Sequence, residues 1–199
     1  MGTPYANSVG KITNEEEALA AVKEDGSALQ FVPDELKTAK VCLEAVKGHG
    51  LAFHFMPQSI LTSSPSEAVI ICAEAVKRNG IALRYVPDEL KTAEVCLEAV
   101  KHNGETLEYV PENLKTREVC LEAVKKDGWA LQYVPDELMT AEVCLEAVKE
   151  FGTVLRFVPR EIKTTELCLE AVKNTFEEAL VDVPEDLRDE VRRRFKSGE

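Results

Sequence analysis

Six cysteines occupy one place in a recurring motif. Cys42, Cys72, Cys96, Cys120, Cys144 and Cys168 each fall inside VCLEAVK or a variant of it. Thiols at a fixed spacing could pair as disulfides or hold a metal. The spacing argues against both. No pair shows CxxC or comparable ligand spacing. Equivalent positions on stacked helices lie about 8–10 Å apart, whereas a disulfide needs Cα atoms within about 7 Å. The expectation is six reduced thiols buried as small apolar side chains, which points to a reducing, cytoplasmic compartment.

The other chemistry-bearing residues form no constellation. His49, His54 and His102 are the histidines, and the first two share the segment HGLAFH with no recurring cysteine or carboxylate arrangement beside them. No GxSxG, HExxH, P-loop or GxGxxG occurs. Carboxylates are plentiful but return once per motif, as a solvated face does. The sequence therefore predicts no catalytic residues, no metal and no cofactor, and a protein that is not an enzyme.

The elements that carry these residues repeat. Pro87, Pro111, Pro135 and Pro159 follow one another at 24 residues; Pro33 to Pro57 is 24, Pro57 to Pro87 is 30, and Pro159 to Pro184 is 25. A fixed period of this size marks a solenoid, in which each repeat is too small to bury its own apolar face and must lean on its neighbours. The 199 residues are 45% hydrophobic and 30% charged, with a net charge of −12. That composition belongs to a folded chain. An acidic chain repels phosphate backbones, so nucleic acid is disfavoured as a partner. No apolar run reaches the roughly 18 residues of a membrane span. No secretory signal is legible at the N-terminus, which leaves export without a classical signal peptide open.

One repeat shows the logic. In Thr92–Lys115, Thr92 is a helix N-cap, Glu94 suits the first turn, and Lys101 the last. Val95, Cys96, Leu97, Ala99 and Val100 make most of the helix circumference apolar. Gly104 reads as the C-terminal stop. A short second helix over Leu107–Val110 is preferred to a strand, and Pro111–Leu114 forms a final turn. The template predicts first helices near 14–24, 38–48, 65–78, 92–102, 116–126, 140–150 and 164–174. Lys23, Lys47, Lys77, Lys101, Lys125, Lys149 and Lys173 recur at one position. They compensate the helix dipole and pair with a Glu three residues earlier where one is present.

Three departures shape the functional reading. The third repeat carries six extra residues, read as an exposed loop at Ser59–Ser64 followed by a Ser64–Pro65–Glu67 capping box. It is either a tolerated insertion or a landmark on a binding surface. At the C-terminus, Arg188, Arg192, Arg193, Arg194 and Lys196 form a basic cluster, read as a solvated cap with a phosphate or acidic-peptide contact as the alternative. Variation concentrates in two columns: the positions flanking each Gly, and Gln30, His54, Arg84, Glu108, Gln132 and Arg156. Repeat scaffolds place recognition residues on such columns, although solvent positions also drift. Trp129 and Phe151 fall among them and suit either an interface hot spot or a filler between repeats.

The pattern AVKxxGxxLx(Y/F)VPxx(L/I), as in AVKRNGIALRYVPDEL and AVKKDGWALQYVPDEL, resembles the bacterial domain-of-unknown-function family forty-one-sixteen over nearly residues 14–187. The resemblance implies tandem short helices in bacterial proteins, some host-associated, with no established activity and no catalytic residues to carry over. The layout is also similar to leucine-rich repeat variants, but their iron–sulfur cysteine cluster has no counterpart here. The expected fold is all-α, a right-handed α-solenoid of about seven 24-residue repeats. Residues 1–12 should be a loose tail, 13–187 a single solenoid with an insertion near 59–66, and 188–199 a capping helix and tail. The expected function is a non-catalytic protein–protein interaction scaffold. Its candidate binding residues are Trp129, Phe151, Arg84, Glu108, Gln132, Arg156 and His54. The expected partner is a protein, with no membrane contact, and the chain is expected to be monomeric. The alternative is an acidic inhibitor or antitoxin-like protein that occupies a basic site on a nucleic-acid enzyme.

Overall fold

A computed structural model describes residues 12–175 and 177–198, and these contain helices and turns but no strand. The long helices are α1 (Glu15–Glu24), α2 (Ala39–Gly48), α4 (Pro65–Arg78), α5 (Ala93–His102), α6 (Arg117–Lys126), α7 (Ala141–Glu150) and α8 (Thr165–Thr175). Short α3 (Gln58–Ser63) and α9 (Glu177–Leu180) and the final α10 (Glu185–Ser197) complete the α-helices. Six-residue 3₁₀ helices follow the first six long helices: Gly26–Phe31, Gly50–Phe55, Gly80–Tyr85, Gly104–Tyr109, Gly128–Tyr133 and Gly152–Phe157. The fold is an all-α tandem-repeat solenoid. Each long helix begins within one residue of its expected start.

Backbone packing divides the chain into two compact bodies, Met1–Ala99 and Val100–Glu199. In the first, α1 packs on α2 and α2 on α4, while the 3₁₀ helices at 26–31, 50–55 and 80–85 pack in the same order. In the second, α6 packs on α7 and α7 on α8, α10 closes against α8, and the 3₁₀ helices at 104–109, 128–133 and 152–157 follow suit. Of the tail expected at 1–12, residues 1–11 lie outside the described residues. Ile12 is buried, not loose.

The framework explains the recurring letters. Val119, Cys120, Ala123 and Val124 of α6 are buried, and Ala130, Leu131 and Val134 close the space from the other side. The helix leucines differ from expectation: Leu43, Leu97, Leu121 and Leu145 are only half-buried, so the core of α2, α5, α6 and α7 is Val-Cys and Ala-Val, whereas α8 buries Leu169 as well. Threonine caps behave as read: the hydroxyl oxygens of Thr38, Thr92, Thr116, Thr140 and Thr164 accept from the N–H three residues on. Lys47, Lys125 and Lys149 pair with Glu44, Glu122 and Glu146. The six cysteines are free thiols with no exposed surface.

The recurring glycine has a different job from the one its sequence position suggested. It is not a left-handed helix stop; among the described glycines only Gly198 has positive φ. It opens the 3₁₀ helix and lies against the next long helix. A Cβ on Gly26 would come within 2.2 Å of the Ala45 carbonyl oxygen, and one on Gly128 within 2.6 Å of that of Ala147. Gly50, Gly104 and Gly152 meet Ala75, Ala123 and Ala171 in the same way. Glycine and alanine together set how closely neighbouring repeats approach.

The insertion is also reinterpreted. Ser59–Ser64 is not an exposed loop, because α3 forms there around buried Leu61. Thr62 and Ser63 hydroxyls donate back to the carbonyls of Gln58 and Ser59 at 3.3 and 2.6 Å, which a helical turn allows. Ser64 makes no side-chain cap bond, since it closes α3 as well as opening α4.

Candidate functional site

A 3₁₀ helix has three residues per turn, so its residues i and i+3 eclipse. In each six-residue segment this makes three rows. Gly at position one and Leu at position four (Phe53 in the 50–55 segment) face the core. Positions two and five face outward. They are Ser27 and Gln30, Leu51 and His54, Ile81 and Arg84, Glu105 and Glu108, Trp129 and Gln132, and Thr153 and Arg156. Position five is exposed in every copy. Two of the variable positions read from the sequence, the one after each glycine and the second column, therefore share an outward row within each body. Position six is aromatic throughout: Phe31, Phe55, Tyr85, Tyr109, Tyr133 and Phe157. The sequence reading passed over this aromatic row, though the recurring (Y/F)VP carried it.

The third variable set, before each glycine, is largely structural. Asp25, Asn79, Asn103 and Asp127 cap their 3₁₀ helices, each Oδ1 accepting from the N–H two residues on at 2.8–3.0 Å. Those hydrogen bonds hold the Asp25 carboxyl below its usual value. His49 and Phe151 have the same extended backbone but no side-chain cap bond. His49 is exposed, so His49→Asn should restore the cap. We expect a gain of about 0.5–1 kcal/mol, read as a rise of about 2 °C or more in melting temperature. A melting temperature at or below that of the parent would contradict the capping role.

The structure brings five of the seven candidate residues into one stretch of the second body. Trp129 is half-buried and lies 6.5 Å, ring to ring, from Phe151 and 6.0 Å edge-on from Phe157. Phe151 is 40% exposed. The Gln132 amide donates to the Trp129 carbonyl at 3.1 Å, and Arg156 Nε to that of Thr153 at 3.1 Å. Glu108 stands in the same row one repeat earlier. The Tyr133 phenol is pushed up, first by partial burial and then by the Glu108 and Glu105 carboxylates, which places both within its field. The remaining two candidates, His54 and Arg84, share Tyr85 in the first body. The His54 ring sits 4.4 Å from that of Tyr85, and the Arg84 guanidinium lies 5.1 Å above it.

A lysine row escaped the sequence reading altogether. Lys37, Lys91 and Lys115 follow the final turn of their repeats with side chains only 8–9% exposed, and their ammonium groups reach Asp34, Asp88 and Glu112 at 2.7–2.8 Å. Lys163 donates instead to the Asp182 carbonyl at 2.9 Å. Met139 takes this place in the fifth repeat and is equally buried. These side chains are buried along their stems while their ammonium groups reach exposed carboxylates, so the row is structural. Its signal was the K-T step after DEL, ENL or REI in every such repeat but the one with Met139.

No chemistry gathers elsewhere among the described residues. No group of three His, Cys, Asp or Glu side chains is placed to hold a metal ion. No helix is long and apolar enough to cross a membrane. The C-terminal basic cluster is mostly engaged: Arg193 with Glu190, Arg194 with Glu166 and Arg188 with the Val183 carbonyl. Arg192 and Lys196 line an open groove floored by Val172, Leu180 and Phe195.

Comparison with curated proteins gives no match. The family pattern described as Domain of unknown function (DUF4116) matches residues 14–61, 71–115, 92–139 and 141–188, in overlapping tandem segments. With most of its length matched in this way, the chain belongs to the DUF4116 family.

Proposed function

We propose that the protein is a non-catalytic protein–protein interaction scaffold that uses the outward row of its 3₁₀ helices, acting as a monomer in a reducing compartment. The supporting observation is Phe151. It stands where four other repeats keep Asp or Asn as a cap, so it forgoes a bond worth about 1 kcal/mol. In its place is an exposed aromatic ring beside Trp129. Together with Trp129 of the outward row it makes an aromatic cluster, the usual anchor of an interface. The rest of the framework repeats; this row does not.

Replacing both anchors, Trp129→Ala with Phe151→Ala, should weaken capture of the natural partner about tenfold or more while far-ultraviolet circular dichroism stays unchanged. Capture at parental strength by the folded double variant would reject this surface. The charge-driven inhibitor reading makes a different demand: its complex should weaken sharply as salt rises, even with both aromatics intact.

A further inference from the structure

The C-terminal end of the second body carries a groove that the outward row does not use. It measures about 340 Å³. Val172, Leu180, Val181 and Phe195 form its apolar lining, and Arg188, Arg192 and Lys196 its polar one. Among the described residues no carboxylate lines it. The chain has 36 acidic and 24 basic residues, so the groove inverts the sign of the whole.

The three cations stand four residues apart on α10 and form one stripe with a pitch of about 6 Å. Like charges at that spacing repel, and the helix does not neutralise them from within. Asp186 and Glu190 are taken by Arg160 and Arg193, while Glu185 and Asp189 do not line the groove. Arg193 and Arg194 have carboxylate partners in Glu190 and Glu166. Arg192 and Lys196 are exposed and have none among the described residues. Arg188 is held in place, because its Nη2 donates to the Val183 and Val181 carbonyls at 3.0 and 3.5 Å, and its buried Nε has no acceptor. The apolar side is open as well: Val181 is 72% exposed.

We propose that this groove docks an acidic amphipathic helix of a protein partner, at a site separate from the outward row. Carboxylates four residues apart on the partner run along Arg188, Arg192 and Lys196, and large apolar side chains seat against Val172, Leu180 and Val181. Charge complementarity selects the sign, since carboxylate–guanidinium pairs are charge-assisted hydrogen bonds. Pitch selects the helix: its residues four apart repeat at the same distance of about 6 Å, so successive carboxylates meet successive cations. The lining selects a peptide over an inorganic anion, because phosphate on the cations would leave Val181 in water. An apolar cavity of about 150 Å³ takes a benzene ring, so this groove has room for one or two large side chains. An amphipathic helix laid in an apolar groove is a recurring mode of peptide recognition.

The test uses the full chain and a blocked synthetic peptide, followed by amide chemical shifts. The probe is Glu-Ala-Ala-Leu-Glu-Ala-Ala-Leu-Glu-Ala-Ala-Ala, acetylated and amidated. The rest of a chain of net charge −12 repels it, so its binding reports the groove. The expected result is saturable shifts at 180–183 and 188–197. Peptides with every Glu replaced by Gln, or every Leu by Ala, should each bind at least about fivefold more weakly. The double variant Arg192→Gln with Lys196→Gln breaks no ion pair of the protein and should bind the Glu and Gln peptides alike. Val181→Glu should abolish binding with helicity unchanged, whereas Trp129→Ala with Phe151→Ala should leave it intact. Equal binding of the Glu and Gln peptides by the parent, the same shifts with inorganic phosphate at equal concentration, shifts centred on other residues, or no saturable shift would overturn the proposal.

Discussion

Gly104→Ala should destabilise the protein severely, whereas the same change at Gly48 should be neutral or stabilising. A Cβ on Gly104 would stand 2.3 Å from the Ala123 carbonyl oxygen and 2.8 Å from the Asp127 Cβ. Both obstacles are backbone or the root of a side chain, so neither can swing aside. Relief requires α6 to move away from the 3₁₀ helix before it, opening the core around Val119, Cys120 and Ala123. Overpacking costs about 1–3 kcal/mol, and immovable obstacles put this change at the upper end, a large part of the roughly 5–15 kcal/mol that holds a domain folded. Gly48 is the control. A Cβ there meets nothing closer than 3.5 Å, and it ends a helix whose counterparts end in His102, Lys126 or Glu150. Gly48→Ala should gain up to about 0.5–1 kcal/mol through the unfolded chain. Urea titration of the two variants decides the matter. A small loss at Gly104, similar to the change at Gly48, would mean that repeats are not fixed by this approach.

The second large effect lies in alkaline pH. Burial pushes the thiols of Cys42, Cys96, Cys120, Cys144 and Cys168 up to about 11, and that of Cys72 up to about 12, from an ordinary value of 9.0. A folded-state value above the unfolded one means the proton favours the native state. This contribution is complete below pH 9 and is lost as pH rises through 11. At pH 10 the loss is about 1 kcal/mol per thiol, so six together approach the net stability of a typical domain. We expect cooperative unfolding between about pH 9 and 11, and a shallower pH dependence when Cys120 is replaced by Ala. The same burial predicts that Ellman's reagent at pH 8 leaves the native thiols untouched and titrates all six after denaturation. Rapid titration of several native thiols, or stability flat to pH 11, would contradict it.

The periodicity made the architecture legible because every repeat solves one packing problem with one set of letters. Thr caps, the Val-Cys and Ala-Val pairs and the proline steps each announce a local event, so helix boundaries followed directly. The glycine was legible as punctuation but not as a contact: its partner, an alanine carbonyl, lies in the next repeat. The insertion at 59–64 looked like a loop because Ser and Thr favour turns, yet their hydroxyls bond back within α3. At the edge, exposure of Gln30, His54, Arg84, Glu108, Gln132 and Arg156 was legible from their variation. What variation could not separate was Asp and Asn used as caps from residues facing solvent. The lysine row was hidden for the opposite reason, since a charged letter suggests surface while Lys37, Lys91 and Lys115 bury their stems.

Hydrogen exchange on the chain with and without its captured partner tests the account most directly. Protection should rise at 104–109, 128–133 and 151–157, while the outer faces of α6, α7 and α8 exchange as in the free protein. Protection that instead follows those helices, with the 3₁₀ segments unchanged, would contradict it.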